Sequence, residues 1–361
     1  MTKYETAGEV MDRFRRNIKP LNPTIDDVEL EIDAGYIAEV NQMLAETNTV
    51  ALLHNYMKPT VFFGVNGIRG DSLELSRKAA ETTATRIIFC GVPFMAETAK
   101  IISPDKTVIV PTLEAGCSLA DDCRAKDIRE YREQFPDLPI VAYINTYADV
   151  KAEVDWCCTS GNMINVVKAA MAEMGTKSVV FLPDKYMAGN IARQLGMDLY
   201  YPKNDGQAVD YKNKSTVIGG KARCYVHELY TVDHVHQILA TDPAARIIIH
   251  PEAQPQVIEE VLRHGGVSGS TSQMIKAVET LGPNERAALL TECSLGDNII
   301  ARRPDLINNL IRFCNLTCKH MKMTDAKGIY DALKENKYQI EVPDKIRVRA
   351  KRSVDRMLSV K

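Results

Sequence analysis

Three cysteines raise the question of chemistry. Cys117 stands in the run EAGCSLADDC, where a preceding Gly and following polar residues indicate a turn. Cys224 heads the run CYVHE, read here as a strand over Cys224–His227. Cys318 closes a C-x3-C pair with Cys314; that spacing can place both sulfurs on one helix face, so either could be a ligand. The tight CxxC motifs of ferredoxin-type clusters, which close all four irons with thiolates, are absent. Three thiolates and one open iron would suit Lewis-acid chemistry on a bound oxygen better than electron transfer. The other cysteines, including the vicinal Cys157 and Cys158 beside Trp156, read as small buried hydrophobes.

Two further constellations accompany the thiols. Small hydroxyl residues precede helical patterns at Ser72, Ser160 and Thr271. Such residues serve as helix caps, and helix starts also receive carboxylates and phosphates. Acid–base groups recur at predicted strand ends: His54-Asn55-Tyr56, Tyr143-Ile144-Asn145, His227 and His250-Pro251-Glu252. Histidine moves protons near neutral pH, and a desolvated Glu can be tuned into that range, which makes Glu252 the leading general acid/base. His234, His236, His264 and His320 lie in helical or polar stretches and read as structural.

The elements that must position these groups are short β-branched strands alternating with amphipathic helices, the pattern of an α/β protein with parallel sheets. Strands are expected at Thr49–His54, Arg86–Cys90, Thr107–Val110, Ile140–Ile144, Ser178–Leu182, Cys224–His227 and Arg246–His250. Helices are expected at Ser72–Thr82, Phe94–Ile102, Asn162–Met174, Ala188–Leu195, Val232–Ala240, Pro255–His264 and Ser272–Leu281. The runs repeat in kind. LLHNY, AYINT and CYVHE end strands on polar residues, while FCGVPFMAETA, FLPDKYMAGNIA and IHPEAQPQVIEE pass through a Pro turn into a helix. The reading is three pseudo-symmetric, doubly wound Rossmann-like domains around a central cluster site: 1–135 with an N-terminal extension, 136–219 and 220–317. A C-terminal helical segment, 318–361, packs back on the first. Ligands of such sheets bind beyond the carboxyl ends of the strands, so three sets of strand ends facing one axis would form one pocket.

The 361 residues carry 45 Lys and Arg against 47 Asp and Glu, a balance that lacks the electrostatic footprint of a nucleic-acid binder. The basic run KIRVRAKRSVDR near the C-terminus reads as a solvated helix face. The charged N-terminus shows no signal-peptide core, and no apolar run approaches membrane-spanning length. A cytoplasmic location follows, where thiols stay reduced and a disulfide framework is not expected.

Several runs resemble the iron–sulfur quinolinate synthase A family: HNYMKP, GDSLELSRKAA, FCGVPFMAETAKIISPDKTVIVP, AGCSLA, YINT, TSGN, CYVHE, IHPE, STSQMIK and MKMTDAKGIYDAL, in that family's order. The resemblance runs from about residue 48 to the C-terminus, and FCGVPFMAETAKI is its most specific signature. It implies a synthase that condenses iminoaspartate with dihydroxyacetone phosphate to quinolinate, phosphate and water on the route to NAD. It also implies a 4Fe-4S cluster with one open iron held by Cys117, Cys224 and Cys318. His54, Ser72, Tyr143, Asn145, Ser160, His250, Glu252 and Thr271 match substrate-binding positions. Tyr56, Tyr143, His227 and Glu252 match positions of the proton transfers, ring closure and dehydrations. An aspartate oxidase or dehydrogenase would supply iminoaspartate; neither nucleic acid nor membrane is an expected partner. The chain departs from the family in carrying Ala253 where HPEC is common, and in lacking the CxxCxxC run of some members. Rival readings are a diphthamide-type radical iron–sulfur enzyme, a zinc or redox-sensing protein, and a plain dicarboxylate-binding module.

Overall fold

The structure is a computed structural model that describes residues 4–22, 25–202 and 209–360. Its strands form three parallel sheets of four, five and four strands, the Rossmann-like α/β arrangement expected. The first sheet holds β1 (Thr49–His54), β2 (Gly67–Gly70), β3 (Arg86–Cys90) and β4 (Thr107–Ile109), in the order β2-β1-β3-β4. The second holds β5 (Ile140–Tyr143), β6 (Trp156–Cys158), β7 (Val179–Leu182), β8 (Asp198–Tyr200) and β9 (Thr216–Gly219), in the order β6-β5-β7-β9-β8. The third set is β10 (Arg246–Ile249), β11 (Val267–Ser268), β12 (Ala287–Leu290) and β13 (Leu310–Arg312).

The repetition is visible in the pairing. In every set the first strand pairs with the second, β1 with β2, β5 with β6 and β10 with β11. The third pairs on its outer side with a later strand of its set, β3 with β4, β7 with β9 and β12 with β13. β5, β7, β9 and β12 are buried at every residue, as strands covered on both faces require. The chain parts into two compact units, Met1–Gly116 with Val278–Glu341, and Cys117–Ala277 with Val342–Lys361.

Two readings are corrected. Cys224–His227 is not a strand. The chain leaves β9 through Gly220, where a Cβ would lie 2.3 Å from the Pro183 carbonyl, and then turns. The Glu228 N–H reaches back to the Cys224 carbonyl at 3.0 Å, and the 3-10 turn His227–Leu229 follows. Turn bonds here override the β-propensity of Tyr225 and Val226. The repeat register shifts accordingly. IHPEAQPQVIEE follows β10, a first strand, and so corresponds to LLHNY after β1 and AYINT after β5. The third counterpart of FCGVPFMAETA and FLPDKYMAGNIA is LLTECSLGDNIIA after β12.

The N-terminal helices Ala7–Asn17 and Asp27–Glu46 pack together through Val10, Phe14, Leu30 and Ile37, all fully buried. The C-terminal segment divides. The helix Ala326–Lys334 packs on Asp27–Glu46, whereas the last helix, Asp344–Ser359, packs against β6. There the Ser353 hydroxyl donates to the Lys151 carbonyl at 2.7 Å, and Asn162 donates to the Met357 carbonyl at 3.0 Å. Its basic face is solvated: Arg349 pairs with Glu153 and Arg356 with Glu173. Among the described residues no helix is long and apolar enough to cross a membrane.

One disulfide, Cys293–Cys314, departs from the expectation that none would form. β12 and β13 run parallel, so the residues just beyond their ends emerge side by side, with Cα atoms 4.9 Å apart. Cys90, Cys123, Cys157 and Cys158 are buried as expected, and burial pushes all four thiols up, Cys90 and Cys123 to about 12. Because the thiolate is the reactive form, native-state alkylation at pH 8 should leave these four unlabelled. Peptide mass spectrometry should then find Cys293 and Cys314 joined until reductant is added; labelled Cys123 would contradict the burial described.

Candidate active site

Each repeat sets its tip and its hydroxyl side by side in the same way. The first strand ends in a polar tip, and the second strand, paired beside it, leads into a helix start. β1 ends on His54, which pairs with Gly70, and the helix Ser72–Glu81 begins two residues on. β5 ends on Tyr143, the Ile144 N–H bonds the Cys158 carbonyl at 2.8 Å, and Ser160 follows. β10 runs into His250, the Gly269 N–H bonds the Ile249 carbonyl at 3.1 Å, and Thr271 opens the next helix. Parallel pairing therefore sets every predicted hydroxyl next to its tip.

Neighbours of those hydroxyls occupy the cap positions. Asp71 accepts from the Glu74 N–H, and Asn162 is the N-cap residue before Met163–Met174. Ser270 and Gln273 exchange bonds in a capping box, with the Ser270 N–H donating to Gln273 at 2.8 Å. Ser72, Ser160 and Thr271 thus stand at helix starts whose caps are other residues. A cavity of about 390 Å³ is lined by Ser160, Gly161, Asn162, Asn190 and Pro251, with Arg193 and Gln273 also on its wall.

Glu252 is the centre of the densest cluster. Its Oε1 accepts from the Tyr143 hydroxyl at 2.6 Å, and its Oε2 lies 2.8 Å from His227 Nδ1. His227 Nδ1 is also 3.2 Å from the Cys224 sulfur, and the His227 and His250 rings stack with centroids 4.5 Å apart. Tyr143, His227, His250 and Glu252 are all buried. Burial alone would raise the Glu252 pKa, but the charges of His250 and His227 and the bonds from His227 and Tyr143 outweigh it. The carboxyl is held below the usual Glu range. Desolvation therefore does not tune Glu252 upward as the sequence suggested; the histidines keep it ionised, in the form of a base.

The two cysteine turns in this unit are tied together. The Ser118 hydroxyl donates to the Arg223 carbonyl at 2.8 Å and accepts from the Tyr225 N–H at 3.4 Å, bracketing Cys224 from the neighbour of Cys117. Asn145 Nδ2 points at the Cys117 sulfur at 4.0 Å, while Asn145 Oδ1 is buried without a hydrogen-bond partner. Burial, the Glu252 charge and that of Cys117 all push the Cys224 thiol well up. A thiolate at Cys224 is thus disfavoured unless a positive charge lies beside it. Among the described residues, donor atoms within 4.8 Å of one another form two groups, Cys224–His227–Glu252 and Cys293–Asp297–Cys314.

The other unit holds the remaining predicted residues. The Tyr56 N–H donates to His54 Nδ1 at 3.2 Å, and the Tyr56 hydroxyl meets Thr291 Oγ1 at 2.6 Å. Lys322 Nζ donates to the Tyr56 carbonyl at 2.9 Å and pairs with Glu292 at 2.7 Å. Glu292 also accepts from the Cys318 N–H at 3.4 Å, so one carboxylate ties the Cys318 turn to the Tyr56 tip. Burial raises the Glu292 pKa and Lys322 opposes the rise; removing one partner of so buried a pair costs about 3–5 kcal/mol.

The four histidines read as structural have partners elsewhere than the Glu252 cluster. His234 caps its own helix, His236 and His264 pair with Glu260, and His320 Nδ1 accepts from the Gly116 N–H. Sequence reasoning missed Asp184, Asn190, Thr291, Glu292, Asn298 and Lys322. The signal for four of these was the shared register of FLPDKYMAGN and LLTECSLGDN.

Comparisons with known proteins bear on the family of the chain. The family model described as Quinolinate synthetase A protein matches residues 38–359. Quinolinate synthase 2 of Mesorhizobium japonicum is 41% identical over 359 residues, covering 99% of both chains. Quinolinate synthase of Agrobacterium fabrum is 39% identical over 355 residues, covering 98% of this chain and 92% of the relative. That of Xylella fastidiosa is 40% identical over 324 residues, covering 90% and 87%. A family match over most of the sequence, with relatives this similar end to end, means that the chain belongs to the Quinolinate synthetase A protein family.

Proposed function

We propose that this chain is a quinolinate synthase that condenses iminoaspartate with dihydroxyacetone phosphate, releasing phosphate and water, in NAD biosynthesis in the cytoplasm. Its cofactor on this reading is a 4Fe-4S cluster held by Cys117, Cys224 and Cys318. The three domains are 1–135, 136–219 and 220–317, followed by the segment 318–361. The observation that carries it is the buried Glu252 cluster set against Cys224: His227 Nδ1 lies 2.8 Å from Glu252 Oε2 and 3.2 Å from the Cys224 sulfur. When bound, the cluster supplies one open iron as a Lewis acid.

The chain's own residues do the rest. Ser72, Ser160 and Thr271, at their helix starts, receive the carboxylates and the phosphate. Asn145 Oδ1, buried and unpartnered, accepts an N–H of the imine substrate. His54 and His250 each accept a backbone N–H on Nδ1, which orients both rings as substrate-binding groups. Glu252, ionised, removes the protons lost at ring closure and dehydration, with Tyr143 and His227 passing them at Oε1 and Oε2. Tyr56, braced by Thr291, serves the triose end of the reaction. An aspartate oxidase or dehydrogenase supplies iminoaspartate.

Anaerobic reconstitution with iron and sulfide, followed by a quinolinate assay, tests this. We expect about four irons per chain with labile sulfide, as a cubane requires, and quinolinate formed only with both substrates. A single zinc, no quinolinate and a ligand set of Cys224, His227 and Glu252 would overturn it. Cleavage of S-adenosylmethionine would point to the radical-enzyme reading.

A further inference from the structure

Two helices, Lys185–Leu195 after β7 and Cys293–Arg302 after β12, begin alike. A buried acid caps each: Asp184 accepts from the Tyr186 and Met187 N–H groups, and Glu292 from the Ser294 N–H. At the same place further along each helix stands a buried asparagine, Asn190 or Asn298. Asn190 Nδ2 donates to the carbonyls of Pro251 at 2.9 Å and Ala253 at 3.0 Å. Asn298 Nδ2 donates to the carbonyls of Asn55 and Met57, both at 3.0 Å. Each amide thus grips the two carbonyls on either side of one residue, Glu252 in the first case and Tyr56 in the second.

The gripped turns are themselves copies. In each a histidine Nδ1 accepts the N–H two residues on, His54 from Tyr56 and His250 from Glu252. In each the N–H three residues on returns to the histidine carbonyl, from Met57 at 3.0 Å and from Ala253 at 3.1 Å. Close approach is built in for the first helix: at Gly189 a Cβ would lie 2.8 Å from Pro255, just beyond the tip. Both asparagines leave Oδ1 buried with no partner. A residue placed only to fill space would not carry an unsatisfied acceptor at two sites, so it is the two N–H donors that the sites need. Nor is the arrangement an automatic product of the repeat. Thr98 holds the corresponding place after β3 and bonds the Phe94 carbonyl of its own helix.

We propose that Asn190 and Asn298 are positioning residues that fix the His250–Ala253 and His54–Met57 tips, and so set where Glu252 and Tyr56 meet substrate. This rests on the reading of those tips as reaction groups. A loosened tip misplaces its reacting atom by a fraction of its length, and a 1 Å misplacement costs about 10²-fold in rate.

Asn190→Leu and Asn298→Leu keep the bulk and remove the donors. In the reconstituted enzyme, hydrogen–deuterium exchange should rise about tenfold or more, the loss expected when hydrogen bonds of this kind are removed. The rise should fall in the 250–253 turn for Asn190→Leu and in the 54–57 turn for Asn298→Leu, never in both. Each should lower kcat far more than it raises KM. Asn190→Asp and Asn298→Asp keep the shape more closely and serve if the leucine variants fail to fold. Their buried carboxylates repel the carbonyls when ionised and supply one donor when protonated, so protection at the matching tip should recover as pH falls, relative to intrinsic exchange. Wild-type exchange at the matching tip, or an equal rise at both, overturns the proposal. Glu252→Gln run alongside separates the two failures. If it turns over normally while the exchange pattern is crossed as described, the clamps stand and the role given to Glu252 falls.

Discussion

Cys224→Ser, made anaerobically, is expected to give a folded chain that takes up no complete cluster and forms no quinolinate, and Cys117→Ser and Cys318→Ser should do the same. A serine hydroxyl is a poor substitute for a thiolate towards iron, and each of the three positions carries one corner of the proposed cluster. The readouts are the brown visible absorption, iron and sulfide content, and product. Cys314→Ser is the contrast. It breaks the Cys293–Cys314 disulfide but removes no proposed ligand, so the chromophore should persist. A Cys318→Ser protein with about four irons and undiminished turnover would defeat the ligand assignment.

Glu252→Gln should lower kcat by about 10²–10⁴-fold, the range for removing a positioned general acid or base. The amide cannot take a proton, and it leaves His227 and His250 beside a neutral group in a buried pocket. Tyr143→Phe removes one bond to Oε1 and should cost less. The change also has a signature in stability. The folded-state pKa of Glu252 is depressed, so its stabilising contribution is present above the ordinary Glu value of 4.5 and is lost as pH falls toward the lowered value. Denaturant titrations should therefore show the wild type losing stability on the acid side more steeply than Glu252→Gln. Parallel acid limbs would mean that the carboxylate is not held as described.

Much of this was legible in the residues, and the exceptions have physical causes. β1 and β3 were read to their last residue because their β-branched runs are bounded by clear turn signals. β6, β8, β11 and β13 escaped because two or three residues carry no measurable period and pair only through tertiary context. CYVH looked like a strand for the converse reason, since four residues of strand-like composition outweighed a turn whose bonds are made after the chain clears Pro183. The acid–base residues were visible because their types are uncommon at strand ends. The residues that hold them were not. Asn190 and Asn298 look like ordinary polar positions until the two tips are seen beneath them. The downward shift at Glu252 depends on two histidines, one of them far along the chain, meeting one carboxylate, which no spacing rule anticipates.

The stacked imidazoles of His227 and His250 make the pocket a single mechanical piece. Their centroids lie 4.5 Å apart, and both rings face the one carboxylate of Glu252. A close-packed interior passes a displacement on to its neighbours, so a change at either ring is felt at the other and at the Glu252 oxygens together.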